Sequence, residues 1–540
     1  MSEKRRNVSE WEEKPQLNER IREKTKAVKK KSGNVLFRLL FGRTMVTILL
    51  LLLQIACLFG IFRLFHHSSA ILTGFNVLGA AMIVYIVNSD DNPAFKLAWV
   101  LPICLFPVFG VSLYLFVMIN PGNRGLQKLL NRRVDETEHL LRTDYRVIEK
   151  LKKEETGIRN LGHYIQSMNH FPTYDHTNVS FFRSGEEKYA DLLCELEKAE
   201  KFIFLEYFII NKGEVWDTIL SILTRKAAQG VEVRVMYDGM CSLVSLPYRY
   251  PEELRKLGLK AKMFSPIKPM LSTHQNNRDH RKILVIDGKV AYNGGINLAD
   301  EYMNKKKRFG YWKDTAVKIE GEAVKSFTVM FLQMWNLTER GEEDYEKYIL
   351  PPEHFHGGKG FVIPYNDDPT NRLDIAECVY LDIINQAKQY VHIMTPYLII
   401  DNEMITALTF AAQRGVDVKL ILPHIPDKKT VFAISRTYYA QLIEAGVKVY
   451  EYVPGFVHAK EFIADGYKAV VGSINLDFRS LFEHFECATF IYKNPVINEI
   501  EADYQETLKK CMKIDMQFLV DLPLLYRIFG YVCRLFGPLV

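Results

Sequence analysis

The apolar and polar positions divide the chain into a front part written in long apolar blocks and a remainder of short strand-like runs alternating with amphipathic helices. Residues 44–62, "TMVTILLLLLQIACLFGIF", carry no charge and lie between Arg43 and Arg63. As a helix rising 1.5 Å per residue this run is about 28 Å long, close to the hydrocarbon thickness of a bilayer. The arm before it is too long, and no small-residue cleavage pattern follows it, for a signal peptide. A second apolar run covers 70–87 and a third covers 97–119. Pro102, Pro107 and Gly110 interrupt the third, which predicts a kinked or re-entrant segment.

Residues 120–170 are charged, with helical spacing, and are expected to form a connector. Strand-like and helical patterns then alternate through two blocks, 171–342 and 373–515, with 343–372 as the linker between them. The last stretch, 516–540, is apolar apart from isolated charges such as Arg527 and Arg534. It suits either a helix packed on the core or a membrane-associated tail lying on a bilayer. The two blocks repeat one another in order. "KAEKFIFLEYFII" resembles "QAKQYVHIMTPYLII", "RKAAQGVEVRVMYDG" resembles "FAAQRGVDVKLILPH", and "HRKILVIDGKVAYNGGINLAD" stands beside "HAKEFIADGYKAVVGSINLDF". Such alternation predicts two α/β lobes with largely buried sheets, related by a pseudo-twofold axis and preceded by an N-terminal transmembrane helical region.

Charge refines the membrane picture. Up to Arg43 there are thirteen Lys/Arg against six Glu and no Asp, a basic arm (1–43) suited to the cytoplasmic face of anionic lipid. Arg124, Lys128, Arg132 and Arg133 follow the third apolar run. The positive-inside rule places both basic stretches, and the catalytic part after them, in the cytoplasm. Three full spans cannot do that, so either one run of the membrane-embedded region (44–119) does not cross or the positive-inside reading fails at one end; a cytoplasmic catalytic part is the favoured reading. The protein is thus expected in the cell membrane as a multi-pass chain. Its eight cysteines are scattered with no CxxC pair, which argues against a zinc framework or a disulfide scaffold.

The repeated motif carries the chemistry. His280 and Lys282, and again His458 and Lys460, are two residues apart in β-rich runs and should project from the same face of a strand. Asp287 and Asp465 complete the candidate catalytic set, although their place at an Asp-Gly turn suits a structural role. Gly294 in one copy and Gly472-Ser473 in the other lead to Asn297 and Asn475, and the small residues are expected to bare backbone N–H groups toward a phosphate. Two imidazoles, two ammonium groups and two amides suit a phosphodiester: donors hold the non-bridging oxygens, one histidine attacks and the other protonates the leaving alcohol. Asp314 in "YWKDT" and Glu486 in "HFECA" are the candidates for orienting the rings. No metal is expected, because His-x-Lys is not ligand spacing.

On these residues the chain resembles the phospholipase D superfamily, and within it the bacterial cardiolipin synthases. The likeness runs from about residue 70 onward, through "AFKLAWVLPICLFPVFGVSLYLF", "LEYFII", "YWKDT", "TPYLIID", "GFVHAKEFIADG" and "VGSINLDFRS". It implies two lobes sharing one site, no cofactor, and a phosphohistidine intermediate formed on His280. The implied reaction is transphosphatidylation, with phosphatidylglycerol as both donor and acceptor and the bilayer as its setting. Hydrolysis by the same intermediate, or transfer from another phospholipid, is the alternative. Nucleic acid is not expected as a partner, since the front end and tail are apolar, and nothing here fixes an oligomeric state. The chain departs from the family in its extra run at 44–62 and in "EHFE", where His484 replaces the usual Asn.

Overall fold

The computed structural model describes residues 69–539, apart from 119–121, 268–275, 340, 342, 352–353, 356 and 372, together with Leu52, Ala56, Phe59, Gly60 and Arg63. The basic arm and nearly all of the first apolar run lie outside the described residues.

The second apolar run is α1 (Ser69–Val87). The third is two helices, α2 (Pro93–Leu105) and α3 (Pro107–Met118). Asn92 caps α2 by accepting from Ala94 N at 3.0 Å, with Pro93 in the first turn where its missing N–H costs nothing. The break falls at Phe106, just before Pro107. A Cβ on Gly110 would stand 2.5 Å from Pro102 O and 2.6 Å from Ile103 Cα, so glycine lets α3 fold back against α2. At 1.5 Å per residue the two helices are only about 20 and 18 Å long. Among the described residues no helix is long and apolar enough to cross a membrane. The start of α2 is docked on the second lobe: Asn92 Nδ2 donates to Asp401 Oδ2 at 2.9 Å, and Phe95 meets Phe478 and Phe482 edge-on.

Two α/β lobes follow. The first contains β1 (Thr177–Phe182), β2 (Phe202–Tyr207), β3 (Glu232–Asp238), β4 (Lys260–Phe264), β5 (Lys282–Ile286), β6 (Val290–Gly294), β7 (Tyr311–Lys313) and β8 (Ala316–Gly321). The second contains β9 (Phe361–Asp367), β10 (Tyr390–Met394), β11 (Leu398–Ile399), β12 (Asp417–Pro423), β13 (Lys448–Tyr452), β14 (Gly455–Val457), β15 (Glu461–Ala464), β16 (Lys468–Gly472), β17 (Leu476–Asp477), β18 (Glu486–Tyr492) and β19 (Cys511–Ile514). The first sheet runs β1-β8-β6-β5-β2-β3-β4 and the second β9-β18-β16-β15-β10-β12-β13-β19. Strand for strand these are the same order with β19 added at one edge. In each, the motif strand (β5 or β15) is antiparallel to both neighbours, while β2-β3-β4 and β10-β12-β13 run parallel and the added β19 is antiparallel to β13. The repeat in the sequence is therefore a repeat of topology.

β9 begins at Phe361, inside the stretch expected to be linker. It carries Pro364, which is tolerated because β9 is the last strand of its sheet, where a ladder N–H can be missing. The lobes are joined by helix α4 (Val324–Trp335), eleven of whose twelve residues are buried, and by strand pairs that cross between them. β7 pairs in parallel with β14, and Asp279 bridges to Phe485.

The chain ends in α6 (Leu524–Arg534), which lies on α5 (Lys429–Glu444). Contact is made through Gly530, whose Cβ would stand 2.8 Å from Ala433 O, and through Arg534 over the Tyr438 ring. The opposite face leaves Leu524, Leu525, Ile528, Phe529 and Val532 exposed. The tail thus packs on the core and presents an apolar face at once. The turn Gly537–Leu539 touches α2, so both ends of the described chain meet on one side of the second lobe.

Gly110→Val should separate α3 from α2. We expect a lower yield of folded, detergent-extracted protein and an unfolding temperature several degrees down by thermal-shift assay; an unchanged melting curve would show that the close approach is not needed.

Candidate active site

The two histidines sit just before their strands, at the junction between the lobes. His280 N donates to Phe485 O at 2.9 Å, and His458 N donates to Lys313 O at 2.6 Å. Each backbone is thus held by the opposite lobe, which is why the motif pairs lie at the mouths of β5 and β15, not within continuous strands as the alternation predicts. The side chains are crossed in the same way. His280 Nδ1 pairs with Glu486 Oε1 at 2.7 Å, and His458 Nδ1 pairs with Asp314 Oδ2 at 2.7 Å. A carboxylate on Nδ1 fixes the proton there and leaves the lone pair on Nε2. Asp314 and Glu486 are therefore brought to the histidines, each to the ring of the other lobe.

Lys282 and Lys460 are fully buried beside them, each Nζ donating to the carbonyl oxygen of its own motif histidine. The same-face spacing holds for both pairs. Asp287 and Asp465 are elsewhere. Five residues of extended chain past each lysine, about 16 Å, they take up left-handed turns at φ 52° and 53°. Asp287 accepts from the N–H groups of Glu200, Lys201 and Phe202 at 2.7–2.8 Å. Asp465 accepts from Lys388, Gln389 and Tyr390 at 2.7–3.0 Å. Their carboxylates are spent on the backbone at the far end of the strand, which fits the structural role their Asp-Gly turns suggested.

The glycines also act differently from expectation. Gly295 N donates to Thr315 O, Gly472 N to Lys460 O and Ser473 N to Cys487 O, so these amides are not bared to a phosphate. The residues are small because neighbours are close. A Cβ on Gly294 would lie 2.6 Å from Ala316 Cα, and an extended Gly472 would meet Ala488 Cβ at 2.4 Å. A Cβ on Gly295 would strike Asp314 Oδ1 at 2.2 Å. The longer Glu486 leaves room at the equivalent place for Ser473, whose Oγ donates to Glu486 Oε2. Asn297 holds its own loop, accepting from Ile209 N at 3.0 Å and donating to Tyr302 OH at 2.9 Å. Asn475 Nδ2 donates to Asp477 Oδ2 at 3.2 Å, and its buried Oδ1 has no protein partner.

Several residues at the site were not foreseen. Phe208 packs on the His280 ring at 4.8 Å, and Tyr302 and Trp312 pack on His458 at 5.3 and 5.4 Å. Lys188 is fully buried, its Nζ 3.3 Å from Ile296 O in the loop after β6. The signal for it was a lysine at the apolar spacing of "KYADLLCEL", in step with Leu192 and Leu196. Beneath His280, Arg281 bridges Glu206 and Asp279 in a buried ion network. Spacing offered no metal signature, yet the fold brings ligand atoms of His280, His484 and Glu486 within 4.8 Å of one another.

Burial and crowded positive charge set the electrostatics. Burial, then Lys282, holds His280 well below the ordinary imidazole value. Burial and Lys460 bring His458 down to about 4 against the opposing pull of Asp314. Burial also lowers Lys282 to about 8 and Lys460 to about 7. Burial raises Glu486 to about 8, against the opposing pull of Lys282 and the Ser473 hydroxyl, and the His280 imidazole it orients is the neutral partner. The site so formed has two neutral rings with Nε2 lone pairs, beside two buried lysines whose ammonium forms favour a further negative charge. A phosphodiester monoanion fills that need.

The chain matches the family described as "Cardiolipin synthase, PLD-like domain" over residues 192–335 and 380–508. It matches "Phospholipase_D-nuclease N-terminal" over residues 77–117. A protein of Streptococcus mutans serotype c, described as uncharacterized, is 50% identical over 460 residues, covering 85% of this chain and 99% of that one. A cardiolipin synthase of Geobacillus kaustophilus is 36% identical over 475 residues, covering 86% of this chain and 94% of that one. In fold, the crystal structure of phosphatidylserine synthase from Haemophilus influenzae Rd KW20 is similar with a TM-score of 0.52 at 15% identity, covering 70% of this chain and 98% of that one.

Asp314→Asn and Glu486→Gln keep the shape but lose the charge that fixes the rings. Each should lower kcat by about 10²–10⁴ with little change in KM. Steady-state kinetics on the folded variants checks this; a change confined to KM would show that the carboxylates do not orient the histidines.

Proposed function

The chain belongs to the phospholipase D-like cardiolipin synthase family, and on that premise we propose that it joins two phosphatidylglycerol molecules into cardiolipin and free glycerol. The observation that carries the reading is the pair of buried imidazoles, each completed by a carboxylate of the opposite lobe, over two buried lysines. Following the order the family implies, His280 is the nucleophile. Its Nε2 lone pair attacks phosphorus while the bond to the glycerol oxygen breaks, and His458 gives that oxygen a proton. His458, now neutral, takes the proton from the headgroup hydroxyl of a second phosphatidylglycerol. The hydroxyl oxygen attacks the phosphatidyl-histidine, the N–P bond breaks, and His280 is restored. One phosphodiester is exchanged for another of the same kind, so no nucleotide is consumed. Lys282 and Lys460 hold the non-bridging oxygens, with Asn475 beside them. In the empty pocket His458 is too acidic to carry a proton at neutral pH. Arrival of the phosphate's negative charge cancels the repulsion of the lysines and raises its affinity for one.

The membrane placement follows from the apolar surface. Val77, Val84, Leu97 and Leu105 are more than three-fifths exposed on α1 and α2, as are Leu524 and Leu525 on α6. Surfaces of this kind at two touching ends of the chain suit one lipid-facing side. The short α2–α3 pair dips into the bilayer and returns, which removes the odd crossing from the count and keeps the catalytic lobes in the cytoplasm. The multi-pass arrangement depends on residues 44–62, nearly all of which lie outside the described residues.

Purified protein in detergent with phosphatidylglycerol, without nucleotide, should yield cardiolipin and glycerol in equal amounts by mass spectrometry and enzymatic glycerol assay. His280→Ala and His458→Ala should each abolish turnover while remaining folded. Phosphatidic acid as the sole product would make the protein a hydrolase, and normal activity in either variant would remove the shared site.

The lysines set a second expectation. An ammonium is charged below its pKa and neutral above it, so the phosphate clamp weakens as pH rises through the values near 7 and 8 for Lys460 and Lys282. In the free enzyme kcat/KM should therefore fall above neutrality. The fall in kcat should come at higher pH, because bound phosphate raises both values. A kcat/KM profile flat to about pH 10, near the ordinary lysine value, would contradict this.

A further inference from the structure

His484 is a buried imidazole at the site that the reaction does not use. Its ring lies 5.5 Å, centroid to centroid, from that of His280. It is only 8% exposed, and neither ring nitrogen has a hydrogen-bond partner in the protein. Its Nδ1 stands 3.9 Å from Glu486 Oε1, the oxygen that already holds His280 Nδ1. A buried polar ring with both nitrogens unpaired has lost water without replacement, and a ligand would restore what was lost.

The other lobe shows what is particular here. Trp312 precedes Asp314 by two residues, as His484 precedes Glu486, and it packs on His458 much as His484 stands beside His280. One half of the site is thus backed by an indole, which cannot bind a cation through nitrogen. The other half gathers two imidazoles and a carboxylate whose ligand atoms all lie within 4.8 Å of one another. Two histidines and a glutamate are a recurrent zinc donor set, with bonds of about 2.0–2.2 Å. Tetrahedral ligands at such lengths are about 3.4 Å apart, so closing the set needs about 1 Å of movement by side chains.

We propose that His280, His484 and Glu486 form a binding site for a late first-row transition-metal ion, with Zn²⁺ as the reference case, and that its occupation switches the enzyme off. The inhibitory part rests on the reading of His280 as nucleophile. If the ion takes Nε2, the attacking lone pair is used directly. If it takes Nδ1, the ring proton must move to Nε2, and the lone pair is lost there instead. In both cases Glu486 is drawn from the ring to the ion. Lys282 and Lys460 then determine which ions bind. They repel every dication, and Mg²⁺ or Ca²⁺, which prefer oxygen ligands and gain little from imidazole, cannot overcome that repulsion. Zn²⁺ and Cu²⁺ bind imidazole strongly enough to do so.

The full chain in detergent micelles would be titrated with Co²⁺ and its visible ligand-field absorption recorded, then with Zn²⁺ as competitor. A tetrahedral Co²⁺ spectrum, displaced by Zn²⁺ and lost in His484→Asn and in His484→Phe, is expected. In the transfer assay Zn²⁺ should inhibit the wild type reversibly with EDTA, while Mg²⁺ and Ca²⁺ do not. The Zn²⁺ concentration for half-inhibition should rise at least about tenfold in either variant, each compared with its own metal-free rate. Equal zinc sensitivity in wild type and variants, or a Co²⁺ spectrum that survives both substitutions, would overturn the site. The two variants guard against one misfolding. If the protein proves to make no cardiolipin, the Co²⁺ spectrum still decides whether the metal site exists, apart from the fate of the synthase reading.

Discussion

The structure depends on an exchange of carboxylates between its two lobes. Glu486 reaches from the second lobe to His280, and Asp314 reaches from the first to His458. The backbone repeats the exchange, His280 N to Phe485 O and His458 N to Lys313 O. Neither lobe therefore holds a finished site, and the interface is part of the chemistry. This also accounts for the depth of burial. Two lysines and two histidines can be kept from water only where both sheets close over them, and the same closure pushes the histidines toward the neutral form.

Much of this was legible in the residues. The doubled HxK(x)₄D motif named histidines and lysines that the fold brings together, and the longer repeat anticipated two α/β lobes, whose strand orders the structure shows to match. Asp314 and Glu486 could be named as orienting groups because imidazole chemistry requires them. Their crossing could not be read, because it is a property of how the lobes pack, and two near-identical halves offer either pairing. Lys188 was hidden in an amphipathic pattern that a leucine would have satisfied. The backbone amides near Gly294 and Gly472 were misread because small residues at a phosphate loop and small residues at a tight strand approach look the same in a sequence. The motif aspartates carried a correct hint in their Asp-Gly turns, which the left-handed backbone and the three accepted N–H groups at each confirm.

The two halves differ where the repeat is weakest. Trp312 and Tyr302 wall His458, while Phe208 and His484 wall His280. The second half is tied to the front-end helices, through Asn92 to Asp401 and Phe95 to Phe478 and Phe482. Phe478 follows Asp477 and lies three residues past Asn475, so the loop after the second motif is braced against an apolar front-end helix. A site built from a duplicated unit becomes directional by such differences.

The exchange has a consequence for how the protein comes into being. A chain emerging from the ribosome passes His280 long before Glu486. Through most of that interval the first lobe carries an imidazole without its carboxylate, and His458 follows only shortly before Glu486. The shared site can close only once the second lobe has folded against the first.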